Sequence, residues 1–292
     1  MPIEYQMATV VAFVGAAVVA AAMAWGRRNA SFAWPLVAGI PEVTRTTQGA
    51  AHCLIMAMAE IRRSNGGKPV APFRADVIAA AIELAETQIP GKYRSDATHL
   101  LQKACSSGQV MEARRKASFE ESEEANMQQL ESLWSNAGFP ASDFARRSDL
   151  WAQLGFQGKD PVTDLRGGGC LALDFMVHLS SADTALLRDM MVFNAGQLAE
   201  GDMSWFLTAV VSIQFSTRLL LGEVPFSAEH LESILADGAG VQRGLMRTHV
   251  DLMRNFFCVW KDKRPSVMEY TQFVEPNVIN PFFEGATTMT NA

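Results

Sequence analysis

Apolar residues recur every three or four positions along most of this chain. No stretch keeps up the every-second-residue alternation of a half-buried strand, and no hairpin turn signal appears. Leu171, Phe175 and Leu179 form an i, i+4, i+8 stripe, and Leu186, Leu187, Met190, Met191 and Leu198 form the next. This periodicity predicts an all-α fold without internal repeats. The chain has 292 residues and is 49% hydrophobic, enough for a sizeable core.

Caps and breakers divide the pattern into helices. One is expected over 49–63, with Leu54, Ile55, Met58 and Ile61 inward, ending at Ser64-Asn65-Gly66-Gly67. A second covers 75–88, with Val77, Ile78, Ala81, Ile82 and Ala85 inward, and a third covers 95–105, ending at Ser106-Ser107-Gly108. A long polar helix over 110–136 carries Arg114, Arg115, Lys116 and then Glu120, Glu121, Glu123 and Glu124, a block that could form a docking patch but reads better as a solvated face. Asp143 is placed to cap a short helix ending near Leu154. After the two stripes above, a helix starts at Asp202, carries Trp205, Phe206, Val210, Ile213, Leu220 and Leu221, and stops at Gly222. Ser227 caps 228–236; 240–260 is long, with Leu245, His249, Leu252, Met253, Phe256 and Phe257 inward; Ser266 caps a last helix to about Phe273.

Residues 7–25 carry no charge and no proline. Nineteen residues of helix span roughly 28 Å, close to a hydrocarbon core. Trp25 ends the run, and Arg27 and Arg28 follow at once, which places the C-terminal side in the cytosol by the positive-inside rule. A membrane anchor is the first reading of residues 1–28. A cleaved signal peptide is the second, with Ala22-Met23-Ala24 as a small-x-small site but no positive charge before the run. The third is an alanine-rich helix packed on the domain, which would leave the chain cytoplasmic. Residues 29–47 read as a linker, through Trp34-Pro35 and Ile40-Pro41. The tail over 285–292 is small and polar, and is expected to fray.

The net charge of −6 argues against broad nucleic-acid binding. Cys53, Cys105, Cys170 and Cys258 stand far apart, as expected of buried thiols rather than of a zinc site or disulfide framework. His52 beside Cys53 reads as a neighbour pair on a helix. There is no GxSxG, HExxH, P-loop or EF-hand pattern.

One stretch breaks the helical pattern. Residues 151–169 read Trp-Ala-Gln-Leu-Gly-Phe-Gln-Gly-Lys-Asp-Pro-Val-Thr-Asp-Leu-Arg-Gly-Gly-Gly. Glycine-rich charged loops between rigid elements are where function concentrates. The three glycines hint at a phosphate cradle, but no strand precedes them, and they read better as punctuation leading into the next helix. Asp160-Pro161 and Thr163 fit turn chemistry. Trp151 and Phe156 read as core residues holding the loop, and Gln157 as an amide tying down backbone. Asp164 can cap the next helix or act as an acid or base, and it could also hold the Arg166 guanidinium. Arg166 itself either pairs with Asp160 or Asp164, satisfies the carbonyl end of a neighbouring helix, or is presented to a partner.

This loop resembles the signature of the ELMO domain: Trp151, Gly155-Phe156-Gln157, Asp160-Pro161, Thr163-Asp164, Arg166-Gly167 and Gly169, followed by the apolar helix from Leu171. Leu165 departs from the usual phenylalanine but keeps the apolar contact. More than ten defined positions at fixed spacing make the match specific. The resemblance implies an ELMO-type domain over 110–284 and a helical extension, with its linker, over 29–109. It divides the possible functions in two. Small single-domain members are GTPase-activating proteins for Arf-family GTPases, including the Arf-like ones, and the signature arginine, here Arg166, is thought to be catalytic in them. Others are non-catalytic scaffolds that lack the arginine and recruit a GTPase or exchange factor. The presence of Arg166 favours the first kind. In that reading Trp151, Gly155, Phe156, Gln157, Asp160, Pro161, Thr163, Asp164, Gly167 and Gly169 position the loop or contact the partner. The protein would then bind no cofactor, metal or nucleotide of its own; GTP and magnesium belong to the small GTPase, and no independent active site is expected.

Overall fold

The computed structural model describes residues 42–120 and 123–284. The helices are α1 (Glu42–Ser64), α2 (Ala75–Gln88), α3 (Gly91–Lys116), α4 (Glu124–Ala137), α5 (Leu150–Gln153), α6 (Gly169–Ala182), α7 (Thr184–Glu200), α8 (Thr208–Leu221), α9 (Ala228–Leu235), α10 (Val241–Lys263), α11 (Tyr270–Val274) and α12 (Asn280–Phe283). Single 3₁₀ turns occur at Ala141–Asp143, Pro161–Thr163, Leu165–Gly167 and Val267–Glu269, and a π turn at Glu275–Ile279 joins α11 to α12. Among the described residues there is no strand, so the fold is all-α as the periodicity predicts. The expected anchor at 7–25, most of the expected linker and the tail over 285–292 lie outside the described residues. Among the described residues, no single helix is long and apolar enough to cross a membrane.

The chain divides into two compact units, one running to Gln109 and including Leu221–Gly244, the other formed by Val110–Leu220 and the chain from Leu245. In the first unit α1 packs on α2 and α9. Its buried face is Ala50, Leu54, Ala57 and Ile61, against Val77, Ile78, Ala81, Leu84 and Ala85 of α2. Burying the alanines lets two helices approach closely. Ile55, Met58 and Ile82, expected inward, are only half-buried because the alanine-bearing side faces the neighbour instead. Helix α1 also begins at Glu42, so the last residues assigned to the linker are helical.

The second unit carries an aromatic core. Phe206 lies 4.8 Å from Phe256 and 5.6 Å from Trp260, ring centroid to centroid. Phe175 stands edge-on to His249 at 5.3 Å. His249 is fully buried, and its Nε2 lies 3.1 Å from Ser212 Oγ. Burial pushes its pKa down to about 4, so the ring stays neutral inside the apolar cluster.

Five boundaries differ from the sequence expectation. Ser106-Ser107-Gly108 does not end a helix: α3 runs through it to Lys116. Gly108 serves close approach, since a Cβ there would lie 2.5 Å from the Phe73 carbonyl oxygen. The break falls instead within the charge block, between Lys116 and Glu124, so 110–136 is not one helix. Asp143 closes a 3₁₀ turn rather than capping a helix, and α5 is a single turn from Leu150. Trp205 and Phe206 precede α8 instead of lying on it. The Asn194 side chain donates to Phe206 O at 2.7 Å and accepts from Phe206 N at 2.9 Å, replacing the helical partners of that residue. After the capping box at Ser266 the chain stays helical as far as Phe283, ten residues beyond the expected stop at Phe273, because the π turn absorbs Pro276.

Candidate functional site

Residues 151–169 form a chain of short turns held at both ends. At the near end, Trp151 is fully buried on α5 and donates from Nε1 to Ala145 O at 3.0 Å. Its ring meets Trp134 of α4 at 5.0 Å and Phe156 at 5.7 Å, both edge-on. Three buried aromatics in contact anchor the loop far more firmly than its own short turns would. Gly155 follows at φ +87°, and a Cβ there would lie 2.2 Å from Thr208 N. Leu154 O accepts from Ala209 N at 3.2 Å, so the loop begins backbone to backbone against the first turn of α8.

The far end is fixed in the same way. Gly169 has φ +57°, and a Cβ there would lie 2.0 Å from Arg115 O. Cys170 N donates to Ala117 O at 3.2 Å. The first residues of α6 thus meet the last carbonyls of α3, satisfying groups that a helix end leaves open. Arg114, on that last turn of α3, makes two hydrogen bonds to Asp174 of α6, at 2.9 and 3.0 Å, and one to Gln129 of α4. Arg114 is therefore an internal tie rather than part of a solvated face.

Two carboxylates brace the middle. Asp160 accepts from Arg146 Nη2 at 2.9 Å, from Arg147 Nε at 3.3 Å and from Val162 N at 3.2 Å. Pro161 opens the 3₁₀ turn that Asp160 caps, and Thr163 Oγ1 donates to Asp160 O at 2.9 Å. Burial works to raise the Asp160 pKa, but the bonds from Arg146, Val162 and Arg147 outweigh it and hold the carboxyl below its usual range. Such a group stabilises the fold fully above its unfolded value of about 3.9, and the contribution is lost as pH falls through the folded value. Asp160→Asn is expected to cost about 1–3 kcal/mol at neutral pH, the worth of hydrogen bonds to charged groups. Thermal melts of both proteins from neutral pH into the acid range check this. The difference between them should shrink as the medium turns acid; a constant difference would show that the Asp160 charge is not what matters.

Asp164 is tied to neither of its two expected partners. Its Oδ2 accepts from Gln157 N at 2.7 Å, drawing the two sides of the loop together. It makes no side-chain cap, and the helix beyond starts only at Gly169, after Gly168. The Gln157 backbone is thus tied down through its N–H, while its side chain is exposed.

Arg166 is the middle residue of the turn Leu165–Gly167. Leu165 on one side is buried, filling the position of the usual phenylalanine. Arg166 and Gly167 are exposed, and no atom lies within 4 Å of a Cβ built on Gly167. Among the described residues Arg166 has no ion pair and no side-chain hydrogen bond, neither to Asp160 nor to Asp164. Beside it opens a cleft of about 320 Å³, whose lining includes Arg115, Lys116, Phe119, Arg146, Val162 and Arg166. Arg146 stacks over the Phe119 ring at 5.9 Å. Arg115 and Lys116 share Glu112, whose carboxyl they hold at about 2, mainly through the Arg115 hydrogen bonds. Sequence reasoning passed over Arg146 and Phe119; the available signal was the Arg146-Arg147 pair shortly before Trp151.

The thiols divide two and two: Cys53 and Cys170 are buried, Cys105 is half-buried and Cys258 exposed, so the expectation of four buried thiols holds for half of them. Burial raises the Cys53 pKa to about 12, which keeps it an inert thiol. Among the described residues, no three His, Cys, Asp or Glu side chains gather where a metal ion could sit.

Comparison with known proteins supplies the family. The sequence model of the ELMO/CED-12 family matches residues 109–274, more than half of the chain and including the whole loop. The chain is 26% identical over 169 residues to ankyrin repeat and ELMO domain-containing protein D of Dictyostelium discoideum, covering 55% of this chain and 12% of that protein. It is 40% identical over 62 residues to ELMO domain-containing protein B of the same organism, covering 21% of this chain and 22% of that one. Against human ELMO domain-containing protein 2 it is 38% identical over 76 residues, 26% of each chain. The chain therefore spans between 12% and 26% of the length of these relatives. No solved structure matches. With the loop signature, the helical fold and a family match running through both, the chain belongs to the ELMO/CED-12 family.

Proposed function

We propose that this protein is a GTPase-activating protein for an Arf- or Arl-type small GTPase, and that Arg166 is the arginine it supplies in trans. The observation that carries this reading is an arginine held exposed and, among the described residues, without an ion pair, on a loop whose two ends are locked by backbone contact. GTP hydrolysis is limited by negative charge developing on the transferred phosphoryl group. A guanidinium entering from a partner stabilises that charge, typically by 10³ to 10⁵ in rate, or about 4 to 7 kcal/mol. The group must be always protonated and able to bond two oxygens, which lysine does poorly. A preorganised turn spares the ordering cost on docking.

The competing reading is a non-catalytic scaffold, in which Arg166 would serve an intramolecular ion pair; the exposure of Arg166 speaks against it. The test is single-turnover GTP hydrolysis by a panel of Arf and Arl GTPases, with and without the protein. Binding without acceleration would favour the scaffold. We further propose that residues 7–25 tether the domain to a membrane with its loop facing the cytosol. The chain from Asn29 onward is then expected to lose most of its membrane association on fractionation. If it sediments with membranes as strongly as the full chain, that segment is not the tether.

A further inference from the structure

We propose that the basic cleft beside Arg166 is a docking site for an acidic segment of the GTPase, separate from the role of Arg166 in hydrolysis. The proposal rests on the reading that a GTPase approaches this loop. It adds what holds that partner there. Arg115, Lys116, Arg146 and Arg166 line the cleft, opposed in its lining by Asp160 alone. Glu112, just outside, offsets part of the charge of Arg115 and Lys116. A net positive island remains, on a chain whose formal charge is −6. In a protein that otherwise repels anionic partners, such an island selects where they land.

The shape of the cleft argues for a protein segment over a lipid surface. The Arg115 and Arg146 side chains are recessed, at 22% and 23% exposure, while Lys116 stands out at 68%. Phe119 and Val162 add apolar wall. Carboxylate side chains with aliphatic stems can enter and reach recessed guanidinium groups. A plane of headgroups would meet chiefly Lys116 and Arg166 and leave the two recessed guanidinium groups unreached. Recessed charges beside low-dielectric walls also interact more strongly than flat exposed ones.

The division of labour predicts separable effects. Lys116 belongs to docking and Arg166 to the chemical step. Full-length protein would be titrated against Arf and Arl GTPases loaded with a non-hydrolysable GTP analogue, at low and high salt, with hydrolysis rates measured in parallel. Lys116→Glu is expected to weaken binding about tenfold at low salt and to flatten its salt dependence, as for a charge at the edge of an interface. Lys68→Glu makes the same change in net charge on an exposed loop of the other unit, and should leave affinity unchanged. Arg166→Lys should keep affinity within about twofold while losing acceleration, because a positive charge remains. If Lys116→Glu weakens binding but wild type accelerates no GTPase, docking stands and the activating role fails. Acceleration by wild type together with equal affinities for Lys116→Glu and wild type overturns the docking site and leaves the activating role intact. Phosphatidylserine vesicles provide a third arm: loss of vesicle binding in Lys116→Glu, with GTPase affinity unchanged, would assign the cleft to a membrane and overturn the proposal.

Discussion

Arg166→Lys is expected to lower the stimulated rate of GTP hydrolysis by about a thousandfold or more, the usual worth of an arginine supplied in trans. The same substitution should leave the thermal midpoint unchanged. Arg166 is exposed, and its replacement removes no ion pair or side-chain hydrogen bond among the described residues. Lysine keeps the charge and most of the reach but presents one donor centre where the transition state calls for a planar fork. The two readouts together separate mechanism from folding. A variant that stimulates as well as wild type would eliminate the arginine finger. A variant that loses stability along with activity would mean that Arg166 serves the fold.

The second large effect concerns folding, two residues away from a harmless control. Gly169→Ala is expected to destabilise the protein by about 3 kcal/mol or more, or to prevent folding, because several of the severe mechanisms combine at one position. The backbone has φ +57°, a region that costs a side-chain-bearing residue about 1–2 kcal/mol by itself. The added Cβ would also stand 2.0 Å from Arg115 O and 2.8 Å from Ala117 O, backbone atoms that cannot rotate aside. Relief would push the start of α6 off the end of α3 and stretch the bond from Cys170 N to Ala117 O. Gly167→Ala meets nothing within 4 Å and should fold normally. Its effect, if any, should fall on GTPase stimulation, since it adds a methyl group on the exposed side of the turn next to Arg166. Denaturant titration of both variants checks the pair; equal stability would mean that the junction of α3 and α6 is not the clamp described here.

These two glycines also show where reading the sequence stops. Gly167 and Gly169 are two positions apart and indistinguishable by composition, and the family resemblance gives both the same role, positioning the loop or contacting the partner. One is open, and the other is packed on the last turn of α3, more than fifty residues earlier in the chain. Asp164 is a similar case. Sequence spacing offered it the next helix or the neighbouring arginine, both local partners. It binds Gln157 N instead, across a fold of the loop that no local pattern encodes. The helix of 110–136 failed for a related reason: its propensity is continuous through Lys116, and what ends α3 there is the arrival of α6 at its last carbonyls.

The sequence by itself determined the helical class, most helix positions from α6 onward, the caps at Ser227 and Ser266, and the identity of the loop. These rest on periodicity, capping chemistry and residue spacing, all interactions within a few residues along the chain. Only the tertiary structure decided that Arg166 is exposed and has no ion pair among the described residues, that Asp160 is held by Arg146, and that Arg115, Lys116 and Phe119 border the same cleft. Those facts depend on which distant segments share a surface, and that is set by packing of the aromatic core and by backbone contacts at Gly155 and Gly169. Periodicity shows which face of a helix is buried; it carries no information about which helix covers it or which charged group is left facing the solvent.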